Sequence, residues 1–180
     1  MSASPQEVSA FVALFKIVLN ESERGTVIAC SAYLEDQIKT QLMDKAERLP
    51  FETLLKILGS FVVQKELYDI LEILREIRNG AAHKYEPFKL ADYGQTFSNN
   101  FVNKASKMKL FTELSEINVN LPDQQNVKLG DVSSTDLFVN VSDESFNFMM
   151  VTIMLSTYIE RAATWRKTIG PQMILSLIHI

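Results

Sequence analysis

The stretch Ser142–Thr168 reads "SDESFNFMMVTIMLSTYIERAATWRKT", and it carries the strongest structural signal in the chain. Serine is a favoured helix cap, and residues 143–168 contain no proline or glycine that would interrupt a helix. Between Phe146 and Ile159, apolar residues cover nearly the whole circumference of the helix. A helix that is apolar all round belongs in the protein interior, so we predict that this one lies at the centre of the domain. Its methionines are expected to fill the core and not to hold a cofactor.

The residues before this central helix show the periodicity of four further helices. The first is predicted to begin at Ser4-Pro5, and the other three are predicted to run over Glu23–Glu47, Phe51–Val63 and Lys65–His83. Two apolar stripes repeat at spacings of three and four residues. They comprise Val27, Cys30, Leu34, Ile38 and Leu42 on the second helix and Leu67, Ile70, Leu71, Leu74 and Ile77 on the fourth.

The helical signal weakens between Phe88 and Val141. Two short helices are predicted there, over Leu90–Asn103 and Lys104–Ile117. Residues 118–141 are rich in Asn, Asp and Ser and favour a loop, in which Asp136–Val141 and Asn126–Leu129 could pair as a small β-hairpin. The sequence therefore predicts an all-α fold, a single helical bundle over residues 1–170. Residues 171–180 are expected to form a tail, whose ending "LSLIHI" looks like translated sequencing adapter and not native sequence, so His179 is given no role.

Composition narrows the classes of function. The chain has 180 residues and a formal net charge of -4, so it lacks the basic footprint of most DNA-binding domains, and we do not expect direct DNA binding. One cysteine, Cys30, fits a buried core residue in a reducing compartment. The longest apolar stretch, Phe146–Ile159, is too short to cross a bilayer. We expect a cytoplasmic protein with no membrane contact, no metal and no cofactor.

The stretch Glu72–Tyr85, "EILREIRNGAAHKY", contains the polar residues that invite a chemical interpretation. On a helical projection Arg78 falls inside the apolar stripe, where another leucine would fit, whereas His83 falls about 140° away from Arg78. A straight helix cannot direct both side chains at one atom. They could meet if Gly80 loosened the last turn, or if a second protomer supplied the missing half.

Two hypotheses follow from these residues. In the structural one, Arg78 bridges carboxylates or carbonyls of neighbouring helices, Asn79 caps, and His83 binds a carbonyl, because a buried charge needs partners. In the functional one, His83 is the general acid or base of a metal-independent RNA-cleaving site, and Arg78 holds the phosphate. The chemistry alone favours the structural hypothesis.

Three stretches also resemble the mannitol operon repressor family. Glu21–Leu42 is similar to its E-x-D-R-G helix, with Glu23 in the aspartate place, Asp69–Tyr85 to its I-R-N-x-x-A-H helix, and Glu144–Trp165 to its closing helix. The family's basic start to that last helix is missing, since Ser145–Phe148 stand there. The resemblance implies an all-α regulator of transcription without its own DNA-binding motif, acting on a protein partner, with a homodimer as one option. Arg24, Arg78, Asn79 and His83 are then the expected structural polar network.

A broader resemblance competes with the first. R-N-x-x-x-H is similar to the signature of the helical HEPN superfamily, whose nuclease members cleave RNA without a metal. That resemblance implies that Arg78 and His83 are catalytic, that Asn79 supports them, and that Tyr85 completes the R-x4-H-x-Y pattern. RNA is an expected partner only under this alternative. A non-enzymatic regulator of the mannitol-repressor type is the leading hypothesis.

Overall fold

The computed structural model describes residues 14, 16, 18, 21–42, 49–61, 65–83, 85–116, 118–119, 127–128, 131 and 141–168. Within these residues the chain forms six numbered α-helices, and Leu14, Lys16 and Val18 are helical as well. The helices are α1 (Glu23–Leu42), α2 (Phe51–Phe61), α3 (Lys65–His83), α4 (Asn103–Ser106), α5 (Lys109–Ser115) and α6 (Asp143–Thr168). The predicted all-α fold is confirmed.

Local sequence signals explain where the main helices begin. The Ser142 hydroxyl accepts a hydrogen bond from the Ser145 N–H at 3.1 Å, so Ser142 caps α6 as predicted. Ser22 does the same for α1, because its hydroxyl accepts from the Gly25 N–H at 3.2 Å. The bounds of α3 agree with the prediction. The predicted continuations of the second helix to Glu47 and of the third to Val63 lie outside the described residues.

The core is one cluster of buried apolar side chains around α6. The helix α1 makes its most extensive contacts along α6 and also packs against α3. Both predicted stripes are buried wherever their side chains are described. On α6, the residues from Phe148 to Leu155 are buried without a break, which confirms that this helix is central. Aromatic stacking continues across the core, because the Phe101 and Phe148 rings lie 5.2 Å apart.

The region between α3 and α6 differs from the prediction. Leu90–Tyr93 forms a 3-10 turn and Thr96–Val102 a π-helix, where one α-helix was predicted. Gly94 separates the two with a φ of 47°, a conformation that glycine adopts without strain. The helix predicted over Lys104–Ile117 is also broken, since Met108 is extended between α4 and α5. Contacts with the core override local propensity here, because Phe97 and Phe101 stack at 5.8 Å and are buried.

A short antiparallel pair of strands lies between α5 and α6 in the chain. Strand β1 (Asn118–Val119) pairs with β2 (Val127–Lys128), so that Asn118 faces Lys128. The predicted strand at 126–129 is therefore present in part, but its partner is Asn118–Val119, which was predicted to be loop. Most of the other predicted strand, residues 136–141, lies outside the described residues.

No helix in the described part of the chain has the length and apolar character that crossing a membrane requires.

Candidate functional site

The start of α1 holds a polar clamp, which we define as Glu23 and Arg24 together with residues 86–90. Ser22 caps the helix, and Glu23 and Arg24 occupy its first turn. Gly25 follows, where a Cβ would collide with the Glu21 carboxylate. The sequence "ESERG" therefore places one acid and one base at the helix end, directed at the chain that leaves α3.

Three contacts close the clamp. The Leu90 N–H donates to Glu23 Oε2 at 2.6 Å, and Arg24 Nη2 donates to the Glu86 carbonyl at 2.6 Å. The Arg24 guanidinium also lies 6.0 Å from the centre of the Phe88 ring, within cation–π range. These contacts join residues more than 60 positions apart, since the two hydrogen bonds span 67 and 62 residues. The clamp thus fixes the path of residues 86–90 across the start of α1.

Aromatic contacts hold the same segment against α3. The Phe88 and Tyr93 rings lie 5.9 Å apart, and Tyr93 donates a long hydrogen bond of 3.5 Å to the Ile77 carbonyl. Burial raises the pKa of Tyr93, with the nearby charges of Glu76 and Asp92 adding to the rise, so the phenol stays protonated and remains a donor. Leu90 is fully buried and anchors the end of the segment in the core.

Arg78, the residue on which both chemical hypotheses depend, is only partly buried. Its Nη1 donates to the side-chain oxygen of the adjacent Asn79 at 3.3 Å. The predicted bridge from Arg78 to carboxylates or carbonyls of neighbouring helices is not among its contacts with the described residues. Asn79 serves as the acceptor for Arg78, and the helix continues as α-helix past both residues to His83.

His83 and Tyr85 are exposed at the end of α3. The side chain of Tyr85 is fully exposed. The predicted bond from His83 to a carbonyl is not found within the described part of the chain. Because α3 stays α-helical through Gly80, the loosened last turn that would bring Arg78 and His83 together does not occur, and the two residues project about 140° apart. The structure brings Arg78 and Asn79 together, but not Arg78 and His83.

Neither a reactive thiol nor a metal-binding group is found among the described residues. Burial raises the pKa of the Cys30 thiol to about 12, so it is a protonated core residue at neutral pH. In α6, the Ser156 hydroxyl donates to the Tyr33 oxygen at 3.3 Å, and burial raises the pKa of Tyr33 as well. Among the described residues, no group of three or more His, Cys, Asp and Glu side chains is placed to hold a metal ion.

Sequence reasoning included Arg24 in a polar network but missed the partners that the structure gives it. It also gave Glu23 no contact, although its carboxylate binds the Leu90 N–H. One feature of the sequence could have indicated this pair. Glu23 and Arg24 are oppositely charged, follow the serine that caps the helix, and precede the first residue of the apolar stripe. That signal cannot name a partner more than 60 residues away.

Comparison with known proteins gives no relative for this chain: no protein-family model matches it, and no curated protein or solved structure is significantly similar.

Proposed function

We propose that this protein is a non-enzymatic regulator of transcription of the mannitol-repressor type, which acts by contacting another protein. The observation that carries the proposal is the unbroken α3, because it leaves Arg78 and His83 about 140° apart within one chain. A hydrolytic site needs its base and its phosphate-binding group at one substrate atom. The residues with catalytic potential therefore do not form such a site within a single protomer.

Three further observations support this proposal. The three stretches that resemble the mannitol operon repressor family fall on α1, α3 and α6, and α1 packs against both of the others. The charged pair in the first of these stretches, Glu23 and Arg24, binds the chain's own residues 86–90. A formal net charge of -4 also favours a protein partner over DNA.

A transcription experiment in the native host tests this proposal. Deleting the gene is expected to change transcription of a regulated operon, and a His83→Ala copy is expected to restore it as well as the wild-type copy does. The purified protein alone is expected to leave operator DNA unshifted, because it contacts DNA only through its partner. A shift by the purified chain, or failure of His83→Ala to restore regulation, would contradict the proposal.

The second candidate function is a metal-independent ribonuclease that uses Arg78, Asn79, His83 and Tyr85. It is favoured by one observation: His83 and Tyr85 are exposed and Arg78 is partly exposed, all at one end of α3, where a second protomer could complete a site. Wild-type protein would then cut single-stranded RNA in the presence of EDTA, and a folded His83→Ala variant would not. Intact RNA after incubation with clean wild-type protein would remove this candidate.

A further inference from the structure

A polar face covers the helical stretch that precedes α5. Phe97, Phe101 and Ala105 are buried at intervals of four residues, so this side of the stretch faces the core. The residues exposed along this stretch and at the start of α5 form what we call the Asn–Lys surface: Asn99, Asn100, Asn103, Lys104, Lys107 and Lys109. The π-helix Thr96–Val102 contributes to it, and its wide turn exposes Ser98, Asn99 and Asn100 in succession. π-Helical turns are rare and are often found at functional sites.

This surface is basic in an otherwise acidic protein. Between Asp92 and Glu113 the sequence has three lysines and no acidic residue, whereas the formal net charge of the chain is -4. The lysines are weakly compensated, since Lys104 lies 3.9 Å from Asp69 and Lys109 lies 3.6 Å from Glu113. The Glu113 carboxylate is shared, because Arg161 binds it at 2.7 Å. Lys107 has no ion pair with any residue that the structure describes.

The amide groups of the surface are also available to a partner. The side chains of Asn99, Asn100 and Asn103 make no hydrogen bonds to other described residues. By contrast, the hydroxyls of the neighbouring Ser98 and Ser106 donate to backbone carbonyls at 3.1 and 3.0 Å. Each asparagine offers two N–H donors, and each lysine offers three. The surface therefore presents many N–H donors to a partner, beside the three amide oxygens that can accept.

We infer that the Asn–Lys surface docks an acidic segment of a partner protein. The inference rests on the proposed function, in which the chain acts by contacting another protein. Lysine and asparagine donors match carboxylate acceptors, and charge complementarity of this kind guides partner choice and association rate. Nucleic-acid sites of similar size add arginine forks and exposed aromatic rings for base stacking. Residues 93–112 contain no arginine, and none of their aromatic side chains is exposed.

The test uses the full chain and two labelled probes, decaglutamate and decauridylate, in fluorescence anisotropy at low salt. Decaglutamate is expected to bind more tightly than decauridylate. The variant with Lys104→Gln, Lys107→Gln and Lys109→Gln is expected to lose about tenfold in decaglutamate affinity, because it removes the charges that the probe contacts. The matched control, with Lys16→Gln, Lys65→Gln and Lys89→Gln, removes the same charge from other exposed positions and is expected to change the affinity less than about threefold.

An uncharged variant separates a built surface from general attraction. Asn99→Ala with Asn103→Ala keeps the net charge, and it is expected to weaken decaglutamate binding about threefold through lost hydrogen bonds. If the triple lysine variant does not fold, Lys107→Gln alone is expected to lower the affinity measurably. Equal losses in the lysine variant and its matched control, or tighter binding of decauridylate, would overturn the inference. That result would leave the proposed function standing, because the transcription experiment does not depend on these lysines.

Discussion

Arg24 and Arg78 are both partly buried helical arginines, yet the fold uses them differently. Arg24 binds the Glu86 carbonyl across 62 residues of sequence and faces the Phe88 ring, while Arg78 binds the residue next to it. The sequence made Arg78 the more interesting of the two, because it interrupts an apolar stripe. The comparison teaches that a charged residue in a stripe can lie at the edge of the core, whereas one at a helix end can join distant segments.

The largest expected effect concerns the acidic half of the clamp. Glu23→Ala removes the acceptor of the partly buried Leu90 N–H, and we expect it to lower the free energy of unfolding by about 1–3 kcal/mol. Urea denaturation followed by circular dichroism measures this loss. Glu23→Gln is the matched control, since its amide oxygen can still accept the bond, and it should cost less. A loss no greater than that of Glu23→Gln would show that the bond does not hold residues 86–90.

The next effect tests the comparison of the two arginines directly. Arg24→Ala removes one hydrogen bond and one cation–π contact, and we expect it to cost about 1 kcal/mol of unfolding free energy. Arg78→Ala is the matched control and should cost less than about 0.5 kcal/mol, because it leaves no buried charge without a partner. This replaces the marked loss that a bridging role for Arg78 would produce. Urea denaturation that finds Arg78→Ala the costlier variant would reverse the comparison.

The smallest expected effect concerns the ion pair between α5 and α6. Arg161 binds Glu113 at 2.7 Å, and this hydrogen bond lowers the pKa of the Glu113 carboxyl below its ordinary value of 4.5. A carboxyl whose pKa is lowered in the folded state stabilises that state above its unfolded pKa, and the contribution is lost as the pH falls through the folded value.

We therefore expect the melting temperature of the wild-type protein to fall more between neutral pH and a pH below 4.5 than that of Glu113→Gln. The difference should be small, because exposed ion pairs contribute little. Thermal denaturation followed at both pH values measures it. An equal fall in melting temperature for the two proteins would show that this ion pair does not contribute to stability.

The contrast between α3 and the region after it shows how far sequence reasoning reached. The stripe from Leu67 to Ile77 predicted α3 and its buried face, because its spacing records which side of the helix is buried. In residues 90–102 the same reasoning predicted one α-helix and missed the 3-10 turn and the π-helix. Those turns depend on how Leu90, Phe97 and Phe101 reach the core, and such contacts leave no regular spacing.

The candidate site was predictable only in part. The sequence identified Arg24, Arg78, Asn79 and His83 as polar residues that need an explanation, and it showed that one straight helix separates Arg78 from His83. It did not show that Gly80 leaves the helix intact, nor that Glu23 accepts a bond from Leu90. The sequence is the same whether or not a helix bends at its glycine, because packing against the rest of the protein determines whether it bends.

Local patterns in the sequence were enough to predict the helical class, the capping serine Ser142, the central position of α6 and the buried faces of α1 and α3. All of these follow from interactions within a few residues, which a local pattern records. Tertiary contacts were needed to define the partners of Glu23 and Arg24, the pairing of β1 with β2 and the partly buried position of Arg78. These depend on contacts between residues far apart in the chain, whose free energies become defined only once the helices have packed.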